Sequence, residues 1–314
     1  MILSVSRRTD IPAFYSEWFF KRLIEGFVLV RNPMNYRQVS RVTINPEVVD
    51  CIVFWTKNPG QMLNKLDLLA DYNYYFQITL TPYNRQIERY LPPMDELIAN
   101  FKQLSYLIGK ERTVWRYDPV ILTNEMDMAY HIQNFETLAR KLQGYTERCV
   151  ISFLSLYEKT KRNMKGLKIN LPTAEQKLEI GAMLANIALN YGFIIESCSE
   201  TVDLSAVGIE PAQCIDQRLI SRLSGRKLTI EKDRNQRDEC GCATSIDIGA
   251  YNTCSHGCLY CYANYSDPAV ENNLTRHNPE SPMLIGNLEP EDRITDRKMV
   301  SYISISKQQI LEFK

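Results

Sequence analysis

Nine cysteines occur in the 314 residues, and seven of them, Cys198, Cys214, Cys240, Cys242, Cys254, Cys258 and Cys261, fall between positions 198 and 261. An even spread would place about two there. Cys254-x-x-x-Cys258-x-x-Cys261 sets three soft thiolates on one short loop, a spacing that lets them converge on one metal centre. Chance would produce such a triplet in a chain of this composition with an expectation on the order of 0.01. Structural zinc usually takes four closed ligands in paired C-x-x-C form, so this loop alone leaves a position that His256 or another cysteine could close. The other four, Cys198, Cys214, Cys240 and Cys242, suit an auxiliary iron-sulfur cluster or a tetrahedral zinc site, with partly buried free thiols as the plain alternative. Cys51 and Cys149 lie inside apolar runs and belong to the core.

The elements that must position these thiols alternate β-rich runs with helical patterns, as consecutive βα units do. Expected strands are Ile2 to Val5, Cys51 to Trp55, Tyr74 to Leu80, Thr113 to Tyr117, Cys149 to Leu154 and Phe193 to Ser197. Apolar stripes through Leu97 to Ile108 and Met128 to Leu142 mark two helices; Thr173 with Gln176 forms a capping box for a third that stops near Gly192. An early helix runs from about Asp10 to Gly26, and Phe27 to Ile44 reads as an inserted hairpin turning at Asn32-Pro33-Met34-Asn35. The pattern favours an α/β fold with a parallel sheet, curled as a partial or complete barrel or left open and doubly wound. Several strands end in polar residues, in Arg7 and Arg8, Lys57 and Asn58, Arg116 and Asp118, and Glu200, so a site is expected at the carboxyl ends of the strands.

Lys and Arg total 37 against 37 Asp and Glu, so no overall field draws the chain to nucleic acid or an anionic membrane, although a local basic groove is left open. With 45% hydrophobic and 24% charged residues the composition is that of a globular protein, and it contains neither a long apolar span nor a signal-peptide core. A cytoplasmic protein without disulfides and without a membrane partner is expected. Walker, dinucleotide-binding and H-E-x-x-H motifs are absent, which removes support for nucleotide hydrolases, simple dehydrogenases and zincin proteases. Ser221 to Glu239 and the basic stretch Lys159 to Lys168 read as solvated surface, and His131 and His277 as ordinary surface or hydrogen-bonded residues. Beyond Asn264 a loop-rich tail with one helix near Lys307 is expected.

The run Cys254-Ser255-His256-Gly257-Cys258-Leu259-Tyr260-Cys261-Tyr262-Ala263 resembles the cluster loop of radical S-adenosylmethionine (radical SAM) enzymes, especially the branch that includes spore photoproduct lyase relatives. In that superfamily the motif follows the first strand of a six-unit partial barrel, whereas here it follows all the βα units. With Ser6-Arg7-Arg8-Thr9-Asp10, Phe54-Trp55-Thr56-Lys57-Asn58-Pro59 and Asp247-Ile248-Gly249, nearly the whole chain resembles an uncharacterised family, a domain of unknown function that carries such a motif at its C-terminus. The resemblance implies a partial (βα)6 TIM-like barrel over residues 1–200, with a cysteine-rich segment and tail over 201–314 covering the carboxyl face of the strands. It further implies that Cys254, Cys258 and Cys261 hold a 4Fe-4S cluster open to SAM at one iron, with Tyr260 packed beside it. Arg7, Arg8, Lys57 and Asn58 become candidate SAM contacts, and Arg116, Asp118 and Glu200 candidate catalytic side chains. An electron donor such as flavodoxin or ferredoxin would be the partner, and the substrate is unknown. The alternative is a non-catalytic zinc or iron-sulfur barrel that binds nucleic acid or another ligand.

Overall fold

The computed structural model describes residues 1–303. The chain opens with β1 (Ile2–Val5), α1 (Ile11–Phe14), α2 (Ser16–Glu25) and a hairpin of β2 (Phe27–Arg31) and β3 (Gln38–Thr43). Then follow β4 (Cys51–Thr56), a 3-10 helix (Gly60–Leu69), β5 (Tyr74–Thr79), α3 (Met94–Ile108), β6 (Thr113–Val120), α4 (Met128–Leu142), β7 (Arg148–Phe153), α5 (Glu158–Asn163), α6 (Ala174–Asn190) and β8 (Ile194–Ser197). The cysteine-rich part carries β9 (Glu210–Pro211), α7 (Gln217–Ser224), β10 (Ile246–Asp247), α8 (Asp267–Leu274) and β11 (Arg293–Asp296).

Eight strands form one parallel sheet in the order β10-β1-β4-β5-β6-β7-β8-β9. The protein is therefore an α/β fold. The six long strands lie side by side in chain order, without the reversal that doubly wound sheets show. Consecutive crossovers of one hand then return on one side of the sheet. The core shows that segregation. Leu3, Phe54, Phe76, Trp115 and Ile151 face the main cluster together with Phe19, Phe101, Phe135 and Leu184 of the crossover helices. The alternate residues Ile2, Val53, Tyr75, Val114 and Val150 face a second cluster built from Ala212, Cys214, Ile215, Leu219 and Ala243. Burial on both faces explains why the strands read as near-continuous apolar runs. Cys51 and Cys149 are fully buried within them.

The early helix is two: α1 and α2 are separated at Tyr15, whose hydroxyl donates to the Thr253 carbonyl at 2.6 Å beneath the cysteine loop. The capping box at Thr173 is present, with both reciprocal hydrogen bonds. The hairpin pairs antiparallel and acquires a third strand, β11, from the tail. The two-residue edge strands β9 and β10 and helix α8 were not expected, and the expected helix near Lys307 lies outside the described residues. Among the described residues no helix is long and apolar enough to cross a membrane.

Candidate functional site

All strands of the large sheet point their carboxyl ends the same way, and the loops leaving them surround a cleft of about 610 Å³, within the range of small-ligand and cofactor sites. All seven late cysteines line it, together with Arg7, Arg8, Lys57, Arg116, Asp118 and Tyr260.

Two buried carboxylates hold the floor together. Asp247 of β10 accepts from Ser4 Oγ at 2.7 Å, Ser6 Oγ at 2.6 Å, Arg7 N at 2.8 Å and Gly249 N at 3.0 Å. A Cβ on Gly249 would lie 2.0 Å from Ser6 Oγ, so only glycine lets the chain pass this close. Asp10 caps α1 through Ala13 N at 3.0 Å, accepts from Lys57 N at 2.7 Å, and meets His256 Nε2 at 2.8 Å. One carboxylate thus joins the ends of β1 and β4 to the cysteine loop. With Nε2 donating to Asp10, His256 presents Nδ1 as a bare acceptor, which is buried and without a partner among the described residues.

The Cys254–Cys261 loop is fastened by its backbone as well. Leu259 N donates to Ile87 O at 2.9 Å and Tyr90 N to His256 O at 3.1 Å, and Arg89 Nε reaches Gly257 O at 3.0 Å. Below it, Glu88 accepts from Lys57 Nζ at 2.7 Å, Thr81 Oγ1 at 2.7 Å and the Tyr260 hydroxyl. Burial works to lower the Lys57 ammonium, but Glu88 and Cys258 outweigh it and the net direction is upward. Burial pushes the Cys254, Cys258 and Cys261 thiols up, with Lys57 opposing it at Cys258.

The other thiols arrive from three segments. Cys198 follows β8, its N–H held by Ile151 O at 2.8 Å, and its Sγ is 3.4 Å from Cys214 Sγ. The Cys214 carbonyl is gripped by two side chains on one face of β5, Tyr75 Oη at 2.6 Å and Gln77 Nε2 at 2.8 Å. Arg116 Nη1 donates to Cys214 Sγ at 2.8 Å, while Nη2 binds Asp118, which also accepts from Ser152. The Cys242 segment is tied back by Ala243 N to Ile215 O at 3.0 Å and Asp233 N to Cys242 O at 2.9 Å. Neighbouring thiols shift one another: Cys242 draws Cys240 down to about 7 against burial. The bond to Cys198 lowers Cys214, but Cys242 and burial raise it, leaving it at about 11.

Asn58 and Glu200 do not reach the cleft lining. The Asn58 side chain closes a turn onto Gly60 N at 3.0 Å and accepts from Asn100 Nδ2 at 2.9 Å. Glu200 accepts from Phe153 N at 2.7 Å and Lys177 Nζ at 2.8 Å. Both side chains are consumed in fastening strand ends. The charge run expected as solvated surface contributes more than that, because Asn235, Gln236 and Arg237 line the cleft and Asp233 is buried 3.7 Å from Arg7. His131 is fully buried, not superficial, with both ring nitrogens hydrogen-bonded. Sequence reading missed Glu88 and the joining role of Asp10. The short Asp247-Ile248-Gly249 run was noticed without its reason, which is the contact of Gly249 with Ser6.

Three thiols on one pinned loop, facing a roomy cleft with cationic side chains, fit a cluster held by three thiolates in the chemistry of their donors. As they stand, no group of three or more His, Cys, Asp or Glu side chains among the described residues is arranged to hold a metal ion. The fold and cleft define an α/β protein with a cysteine-lined site at the strand ends. The chain belongs to the family described as Domain of unknown function (DUF1848), whose model matches residues 2–263, ending just past the three-cysteine loop. No curated protein and no solved structure gives a significant match.

Proposed function

We propose that this protein is a radical SAM-type enzyme acting on an unidentified substrate, with Cys254, Cys258 and Cys261 as the ligands of a 4Fe-4S cluster. When bound, the cluster would deliver one low-potential electron from a flavodoxin- or ferredoxin-like donor and so cleave SAM to methionine and a 5′-deoxyadenosyl radical. The observation that carries this reading is the position of the late three-thiol loop, folded back against the segments that follow β1 and β5 in one cleft with Arg7, Arg8, Lys57 and Arg116. A site depends on geometry and not on chain order, so a loop that comes last in the chain can serve where the superfamily uses an early one.

In this reading residues 1–200 are a curled partial (βα)6 barrel, β1 and β4 to β8 being its staves, and residues 201–303 are the segment that fills and covers it. Chain-order strands with crossover helices on one face support the curl. The protein's own residues bind and orient. Tyr260, fixed through Glu88 to Lys57, lines the cleft with the loop's thiols, and Arg7 and Arg8 offer guanidinium groups to a carboxylate. Arg116 and Asp118 form a part-buried ion pair in the cleft lining, where it can align a polar substrate group. Trp55, Tyr157, Tyr251 and Tyr262 add aromatic surface to the cleft lining.

The test is anaerobic reconstitution with iron and sulfide, then incubation with dithionite and SAM and assay for 5′-deoxyadenosine. Wild type is expected to carry about four irons at this loop and to form the product, and Cys258→Ala to form none. Equal background from both would overturn the reading in favour of a non-catalytic metal-binding protein.

A further inference from the structure

We infer that Cys198, Cys214, Cys240 and Cys242 form a zinc site, a single ion held by four thiolates, separate from the Cys254–Cys261 loop. This assignment does not depend on the radical SAM reading.

Three observations carry it. The first is distance. With Zn–S near ~2.3 Å, a tetrahedron sets its sulfurs about 3.8 Å apart. Cys198 and Cys214 already stand at 3.4 Å. An iron-sulfur cubane puts each thiolate on a different iron and spreads the sulfurs further, so this spacing favours one ion.

The second is construction. Cys198 sits at the end of β8, Cys214 is held by Tyr75 and Gln77, and Cys242 is tied on both sides to the 215 and 233 segments. Four cysteines from three separate stretches line one cleft, and two of them, Cys198 and Cys214, stand in sulfur contact. Thiols that merely filled space would need no such fastening. Among the described residues no three of these side chains are yet arranged to hold an ion, so binding requires rotation about χ1, the one torsion that moves a cysteine sulfur.

The third is charge. Zinc with four thiolates carries a net charge of minus two, which a buried site must offset. Arg116, almost fully buried and also paired with Asp118, aims an N–H at Cys214 Sγ from 2.8 Å, and Arg7, beside Asp233, lines the same cleft as Cys242. A guanidinium donating to sulfur is the arrangement a thiolate requires, and it serves an apolar neutral thiol poorly. On binding, four thiols release their protons to solvent and four Zn–S bonds form; no electron moves. The ion would then lock residues 198–243 onto the inner face of the sheet.

The test uses the full chain purified in air, where an oxygen-labile cluster is lost and a zinc thiolate site persists. Metal analysis is expected to give one zinc per chain, retained in Cys258→Ala and lost in Cys214→Ser and Cys242→Ser. Should those serine variants fail to fold, cobalt(II) loaded into the wild-type chain decides the matter through the tetrahedral d–d and sulfur-to-metal charge-transfer absorption of four thiolates. Arg116→Met is expected to weaken cobalt binding about 10–100-fold, the usual cost of losing a partner of a metal ligand. Absence of zinc, zinc that follows Cys258 and not Cys242, iron bound at these four positions, or a cobalt spectrum without thiolate charge transfer would each overturn the assignment. None of these readouts involves SAM, so a failure of the enzymatic reading stays distinguishable.

Discussion

The two thiol groups share a cleft but are built by opposite means. The Cys254–Cys261 loop takes its three sulfurs from eight consecutive residues and is rigid because other parts of the chain grip it: Asp10 through His256, Glu88 through Tyr260, and Arg89 through Gly257. In the Cys198–Cys242 group the sulfurs of Cys198 and Cys214 touch, while the backbones that carry the group are sewn to β5, β7 and to each other. One is a local motif held from outside, the other a tertiary assembly whose members hold each other. The first should therefore fail when its distant supports are cut, and the second when its own sulfurs are changed.

The support under the loop gives the largest expected effect. Lys57 and Glu88 are buried together, and removing one partner strands a charge. Glu88→Leu is expected to cost about 3–5 kcal/mol in urea unfolding at neutral pH, and adding Lys57→Met should restore most of it, because the penalty lies in the unpaired ion. A loss below about 1 kcal/mol would mean that the loop does not rest on this pair.

A glycine in each region sharpens the contrast. Gly257 has φ +67° and a Cβ there would meet the Tyr90 ring at 2.6 Å, whereas Gly241, between Cys240 and Cys242, has ordinary φ and only the flexible Gln213 side chain nearby, at 3.2 Å. Gly257→Ala should cost about 1–2 kcal/mol for the left-handed backbone. Gly241→Ala should stay within about 0.5 kcal/mol. Thermal unfolding of the two variants side by side checks this, and equal losses would erase the distinction between an imposed loop shape and a tolerant one.

The same contrast explains what the sequence made legible. The Cys254-x-x-x-Cys258-x-x-Cys261 spacing is visible because its partners are neighbours in the chain, and the six long strands because burial on both faces leaves unbroken apolar runs. Glu88 gave no signal, since what identifies it is Lys57, 31 residues before it, and Tyr260, 172 after it. Likewise β9 and β10 are two residues each, too short for any periodicity, and exist only because a neighbouring strand supplies hydrogen-bonding partners. The place of Asn58 and Glu200 at strand ends suggests site residues, but polar side chains there serve equally to close turns and bind backbone, which is how these two are used.

The smallest expected effect belongs to the scaffold beneath both groups. His131 of α4 is buried against β6, with Nε2–H donating to Ile121 O at 2.8 Å and Nδ1 accepting from the Tyr117 hydroxyl at 2.8 Å. Tyr83 and Tyr130 pack edge-on to its ring. Burial lowers its affinity for a proton below the ordinary histidine value of 6.5; the Ile121 carbonyl and Asp127 oppose this without reversing it. Below pH 6.5 the unfolded chain takes up a proton that the folded chain refuses, so folding stability rises with pH in that window and is lost as pH falls through it. One such group contributes at most about 1.4 kcal/mol per pH unit. In His131→Gln, which keeps a donor and an acceptor but cannot titrate, the decline in unfolding free energy between about pH 6.5 and 5 should be shallower than in wild type. If the two decline in parallel, the acid sensitivity resides elsewhere.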